Sequence, residues 1–291
     1  MPGYFKALGM GTRAFIGVAG LAAILIALFL YFDKSAARTA GFYLWRFASG
    51  QSHGGQCAEI NGVCIYYETY GAGPPVLVLH GGLGSLNTMK FQIQALAGSH
   101  FVIAADSRGH GRSTDSEAPL SYSLMADDML ALLDRLKIER ADIVGWSDGA
   151  IIGLDIAMRH PERVNRLVAI SGNYNPEGVI GLPAADAAPP GPPRNYGLFA
   201  PDPARWAVLY RKVTTMWRTQ PNYSFDDLAR IKAPTLVIAG EADLIKREHT
   251  DQLAKAIPHS REVIIAGGTH TLAHDEPEIV NPIILQFLNQ T

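Results

Sequence analysis

The order of elements along the chain predicts an α/β fold: a mostly parallel, doubly wound sheet with a small helical lid, preceded by an N-terminal transmembrane helix. Three observations predict it. Short apolar runs suited to strands buried on both faces recur along the chain, segments of helical spacing separate them, and one uncharged stretch of membrane-spanning length lies near the amino terminus. For 291 residues, one large core with an insertion is the simplest division. The boundaries read as 1–47 for anchor and flank, 48–56 for a linker, and 57–291 for the main domain, with the lid inserted at about 173–228.

Ala14 to Phe32, AFIGVAGLAAILIALFLYF, holds no charged residue. As a helix it reaches roughly 28 Å, about the hydrocarbon thickness of a bilayer, and its apolar residues fill every face. We read it as an uncleaved membrane anchor, with Ser35-Ala36-Ala37 as the place where a cleaved signal would be cut. Lys6 and Arg13 before the span are balanced by Lys34, Arg38 and Arg46 after it, so charge leaves the orientation open. Next, CAEINGVCIYYETYG sets Asn61-Gly62 between alternating apolar residues, the signal for a two-residue hairpin turn. That turn pairs Ile60 with Val63 and Glu59 with Cys64, leaving Cys57 and Cys64 diagonal neighbours on one face. A disulfide and two separate thiols both remain open; a bridge implies an oxidising, extracytoplasmic compartment, the periplasm in a bacterium.

The rest of the chain alternates. PVLVLH (75–80), FVIAAD (101–106), ADIVGW (141–146), RLVAIS (166–171), PTLVIAG (234–240) and EVIIAG (262–267) read as buried strands. Residues 87–97, 121–138 and 276–289 read as helices, the second with Leu124, Met129, Leu132, Leu133 and Leu136 on one face. Residues 173–228 break the rhythm. The proline-rich PAADAAPPGPP (183–193) can form neither sheet nor helix, and it leads into a helix that Asp202 can cap, with Trp206, Tyr210, Val213 and Trp217 on one face.

Lys+Arg 25 against Asp+Glu 27 leaves a net charge of -2, with no long basic or acidic block, so nothing asks for a nucleic-acid partner. Chemistry should concentrate outside the carboxyl ends of the parallel strands. Ser147 in VGWSDGA follows one strand, Asp243 in GEAD another and His270 in GGTH a third. These are the parts of a nucleophile, an orienting acid and a general base. Glu241 competes for the acid role and His274, one helical turn from His270, for the base.

From about Ala58 to Leu288 the sequence resembles the α/β-hydrolase family. HGGLGS (80–85) is similar to that family's oxyanion loop, DSRGHGRS (106–113) to its segment after the fourth strand, GWSDG (145–149) to its nucleophile elbow, and GTHTLAHDEPEIV (268–280) to its histidine loop and last helix. The elbow also resembles that of valacyclovirase-type amino-ester hydrolases, which implies that Asp148 could meet a substrate ammonium. The resemblance implies a serine hydrolase cleaving a small carboxylic ester or lactone through Ser147, Asp243 and His270, with no metal and no organic cofactor. Hydrolysis of a C–C bond, a cofactor-free perhydrolase activity and a noncatalytic binding role are the alternatives. The Asp148 and Gly82 N–H groups are the expected oxyanion donors, with Leu83 as fallback. His80 and His110 read as structural. Trp146, Asn173, Trp206 and Trp217 are the expected substrate-binding residues, in a mainly apolar pocket.

Overall fold

The computed structural model describes residues 33–48 and 52–290. The expected transmembrane span, residues 14–32, lies outside the described residues, and among those described no helix is long and apolar enough to cross a membrane. The chain divides into two compact units near residue 50. In the first, helix α1 covers Lys34–Ala48.

The second unit is built on a sheet of eight described strands in the order β1-β2-β4-β3-β5-β6-β7-β8. They are β1 (Ser52–Ile60), β2 (Val63–Tyr70), β3 (Pro75–Leu79), β4 (Phe101–Ala105), β5 (Ala141–Trp146), β6 (Val164–Ile170), β7 (Thr235–Ala242) and β8 (Ser260–Thr269). From β4 through β8 every neighbouring pair is parallel, and β1 and β2 add an antiparallel edge. Strand β1 begins at Ser52, inside the expected 48–56 linker, because antiparallel pairing with β2 recruits this glycine-containing backbone, Gly55 opposite Glu68. The hairpin has the expected register, Ile60 with Val63 and Glu59 with Cys64. Asn61 and Gly62 take φ of 48° and 78°, the left-handed pair that a tight primed turn requires. Cys57 and Cys64 are joined as a disulfide with Cα atoms 5.4 Å apart.

Helices cover both faces: α2 (Lys90–Leu96), α3 (Tyr122–Arg135) and α4 (Asp148–Arg159) precede the insertion. Helix α3 starts where Ser121 accepts the Leu124 N–H at 3.1 Å, satisfying one of the free donors of its first turn. It buries Met125, Met129, Leu132 and Leu133 against the sheet and α4. Each such side chain contributes about 1.5–3 kcal/mol by leaving water. Between β6 and β7 lie α5 (Arg194–Phe199), α6 (Trp206–Thr219) and α7 (Phe225–Leu228), and the proline-rich 183–193 connection before them is neither helix nor strand. Asp202 accepts the Ala204 N–H at 3.1 Å, but Pro203–Arg205 wind as one tight turn and α6 proper begins at Trp206. After β7 come α8 (Arg247–Ala256), α9 (Leu272–Asp275) and α10 (Pro277–Leu288).

This topology sets the carboxyl ends of β5, β6, β7 and β8 side by side. Residues 147, 171, 243 and 270 immediately follow or adjoin those ends.

Candidate active site

Ser147 occupies the corner between β5 and α4 with φ 55° and ψ −118°, a backbone region that costs a non-glycine residue about 1–3 kcal/mol. Packing enforces it. A Cβ on Gly145 would lie 2.2 Å from the Gly149 carbonyl oxygen, and one on Gly149 would lie 2.4 Å from that of Leu79, so only glycines let the strand, corner and helix close together. The Ser147 N–H donates to Ile170 O at 2.8 Å, tying the corner to β6.

The corner presents the Ser147 hydroxyl to His270. Its Oγ lies 3.0 Å from His270 Nε2, and His270 Nδ1 lies 2.7 Å from Asp243 Oδ1. A carboxylate only accepts, so Nδ1 carries the proton and Nε2 is left as an acceptor for the hydroxyl. Asp243 is buried and well supplied with donors: the Ile245 N–H reaches Oδ1 at 3.0 Å and the Ser171 hydroxyl reaches Oδ2 at 2.6 Å. Burial alone would raise its pKa. The hydrogen bonds from His270, Ser171 and Ile245 outweigh it and hold the carboxyl below its ordinary value. Such an arrangement can move a proton from hydroxyl to imidazole while the carboxylate offsets the charge that develops.

The two competing residues lie elsewhere. Glu241 is exposed and accepts the Gly267 N–H at 2.9 Å, while His274 contacts Asp275 and Lys90 at 3.0 and 3.3 Å. His80 and His110 are buried with lowered pKa values; for His80 desolvation, then the nearby His110, brings it to about 3. His80 Nε2 accepts the Ser107 N–H at 3.0 Å, so its Nδ1–H donates to Gly81 O at 2.7 Å. The Gly84 N–H meets the same oxygen at 3.1 Å. In a trans peptide the Gly82 N–H then points the opposite way. Gly82 also abuts Asp148: a Cβ there would lie 2.4 Å from Asp148 Oδ2.

A cavity of about 120 Å³ opens on this cluster, lined by Ser147, His270, Asp148, Asn173 and Trp217 with Tyr122 and Gln220, and by Val179–Pro183 and Leu244–Ile245. Two of the expected substrate-binding residues fall outside it. Trp206 is buried against Tyr196, with its indole N–H on Pro190 O at 2.6 Å, because the first turn of α6 packs on the proline-rich connection. Trp146 backs the histidine loop, its N–H donating to His270 O at 2.7 Å. Sequence reading missed Ser171, Tyr122, Gln220 and the two apolar segments. Ser171 was within reach, since it ends a strand between those carrying Ser147 and Asp243. The others are brought in by packing that no local pattern announces.

Asp148 is the second carboxylate of the site. Burial pushes it up to about 6, against the opposing hydrogen bonds from Tyr122 and Trp217 and the nearby His270.

The sequence also aligns beyond itself. Residues 74–208 match the family model for the alpha/beta hydrolase fold. A provisionally assigned carbamate hydrolase, RutD, of Azorhizobium caulinodans is 32% identical over 252 residues, covering 78% of this chain and 95% of its own. This chain belongs to the α/β-hydrolase fold family. Among solved structures, the enol-lactonase from Burkholderia xenovorans LB400 superposes with a TM-score of 0.68 at 23% identity, covering 81% of this chain and 100% of its own. Est816, described as an N-acyl homoserine lactone degrading enzyme, gives 0.63 at 26% identity over 80% and 100% of the two chains.

Proposed function

We propose that this α/β-hydrolase is a serine hydrolase that cleaves a small carboxylic ester or lactone through an acyl-enzyme. The observation that carries the reading is the unbroken hydrogen-bond chain Ser147 Oγ, His270, Asp243, at 3.0 and 2.7 Å. A serine hydroxyl is a weak nucleophile at neutral pH, so attack on the carbonyl carbon requires His270 Nε2 to take its proton as the C–O bond forms. Asp243 keeps the ring in the right tautomer and stabilises the imidazolium. The Gly82 and Asp148 N–H groups receive the oxyanion; Asp148 opens α4, so its N–H has no partner within the helix. Collapse of the tetrahedral species returns the proton from His270 to the leaving alcohol. Water, deprotonated by the same imidazole, then releases the acid and restores Ser147.

The size of the cavity and the apolar side chains of Val179, Ile180, Leu182, Leu244 and Ile245 in its lining support a small neutral substrate. RutD carries the provisional name of a carbamate hydrolase and Est816 is described as an N-acyl homoserine lactone degrading enzyme; carbamates and lactones both present the carbonyl carbon that this reading requires. Membrane anchoring by residues 14–32, with 1–47 as anchor and flank and the main domain extracytoplasmic, completes the reading. It is supported by the uncharged span and by the Cys57–Cys64 bridge, which persists in oxidising compartments. The test is hydrolysis of p-nitrophenyl acetate and butyrate by the full chain and by Ser147→Ala. We expect kcat to fall by a factor on the order of 10³ or more in the variant. A variant that keeps wild-type turnover excludes the mechanism.

A further inference from the structure

The pairing of Trp217 with Asp148 is not used by the hydrolytic steps. The indole N–H of Trp217 is shared between Asp148 Oδ1 and Oδ2, at 2.9 and 3.0 Å, and the Tyr122 hydroxyl donates to Oδ1 at 2.9 Å. A buried carboxylate fixed by donors from two directions holds the ring in one orientation. That orientation places the ring against Gly82, in the cavity that Ser147 and His270 also line: a Cβ on Gly82 would lie 2.6 Å from Trp217 Cζ2. The indole therefore touches the loop of the proposed oxyanion donor and the residue that follows Ser147. Trp217 belongs to lid helix α6, whereas Asp148 begins α4. The same end of the lid is tied down twice more, by Gln220 Oε1 accepting the Tyr122 N–H at 3.3 Å and by the Tyr223 hydroxyl on Asp155 at 2.9 Å. Asp148 and Asp155 lie two turns apart on one face of α4, so the helix that follows the nucleophile corner carries two of the lid's three anchor points, and Tyr122 at the start of α3 carries the third.

We propose that Trp217, pinned by Asp148, is the specificity-determining wall that limits the acyl group of the substrate to a short chain. The inference rests on the nucleophilic role of Ser147 proposed above. Replacing the indole by a methyl group opens the cavity beside the scissile carbonyl. Replacing it by phenyl keeps an aromatic ring but removes the N–H, leaving the ring free to turn. Asp148 acts through Trp217 as a positioning residue.

The test compares the wild type with Trp217→Ala and Trp217→Phe. kcat/KM is measured for p-nitrophenyl acetate and octanoate, and the labelling rate of Ser147 is measured with ethyl- and octyl-substituted fluorophosphonates. The long-to-short ratio is internal to each preparation, so any fraction that fails to fold cancels. We expect the wild type to favour the short chain, with the ratio rising roughly tenfold or more in Trp217→Ala and severalfold in Trp217→Phe. A ratio unchanged in Trp217→Ala, or unchanged in Trp217→Phe while Trp217→Ala broadens, overturns the proposal. Wild-type labelling at Ser147 that is indifferent to chain length overturns it while leaving the nucleophile reading intact; no labelling by either probe overturns both.

Discussion

Asp243 has more partners than its orienting role requires, and this separates the effects expected from its neighbours. Asp243→Asn keeps the shape but presents an amide to His270 Nδ1, favouring the wrong tautomer, and kcat should fall on the order of 10⁴-fold. Ser171→Ala removes one donor at 2.6 Å and leaves those from Ile245 and His270, so steady-state kinetics should show a loss of less than about tenfold. Asp148 yields a prediction with a definite sign. Its carboxyl sits at about 6 in the fold against an ordinary 3.8, so the folded state binds the proton more tightly than the unfolded chain. The associated stability is fully present below the unfolded value and is lost as pH rises through about 6. Urea unfolding should therefore find the wild type gaining on Asp148→Asn by up to about 3 kcal/mol between pH 7 and pH 4. A pH-independent difference between the two would refute the assignment.

At the scale of elements, the elbow is held by backbone-to-backbone approach rather than by side chains. Gly149→Ala drives a Cβ to 2.4 Å from Leu79 O on β3, a rigid central strand. We expect it to cost at least about 2 kcal/mol by thermal unfolding and to abolish activity, whereas alanine at Gly191, with open space around it, should do neither. These contacts also explain what the sequence made legible. Buried parallel strands must be apolar on both faces, so PVLVLH, ADIVGW and PTLVIAG announced themselves, and Asn61-Gly62 set the hairpin register without ambiguity. The positions just past the strands follow from them, which is why Ser147, Asp243 and His270 are legible together as residues at neighbouring strand ends. The cavity wall was less legible. Val179–Pro183 belongs to an irregular segment held by the Ile180 N–H on Leu244 O at 2.8 Å, a long-range contact with no periodicity to betray it. Trp206 and Trp217 share an amphipathic face in sequence, yet one packs on prolines and the other meets Asp148, a difference set by what each end of the helix rests on.

For the whole molecule, the Cys57–Cys64 bridge and the uncharged 14–32 segment bear on one question, the compartment in which the domain works. A loop of seven residues' separation restricts the unfolded chain by about 2 kcal/mol, so the double Cys57→Ser/Cys64→Ser variant should lose roughly that much stability by urea titration. Fusing alkaline phosphatase after residue 47 should give an active reporter if the segment carries the chain outward, and an inactive one if it does not. The proposed activity requires Ser147 to become covalently bonded during turnover. Peptide mapping by mass spectrometry after treatment with a fluorophosphonate measures this most directly. One adduct on the Ser147 peptide, absent from Ser147→Ala and lost in parallel with esterase activity, is the predicted result; an active enzyme whose Ser147 remains unmodified would contradict it.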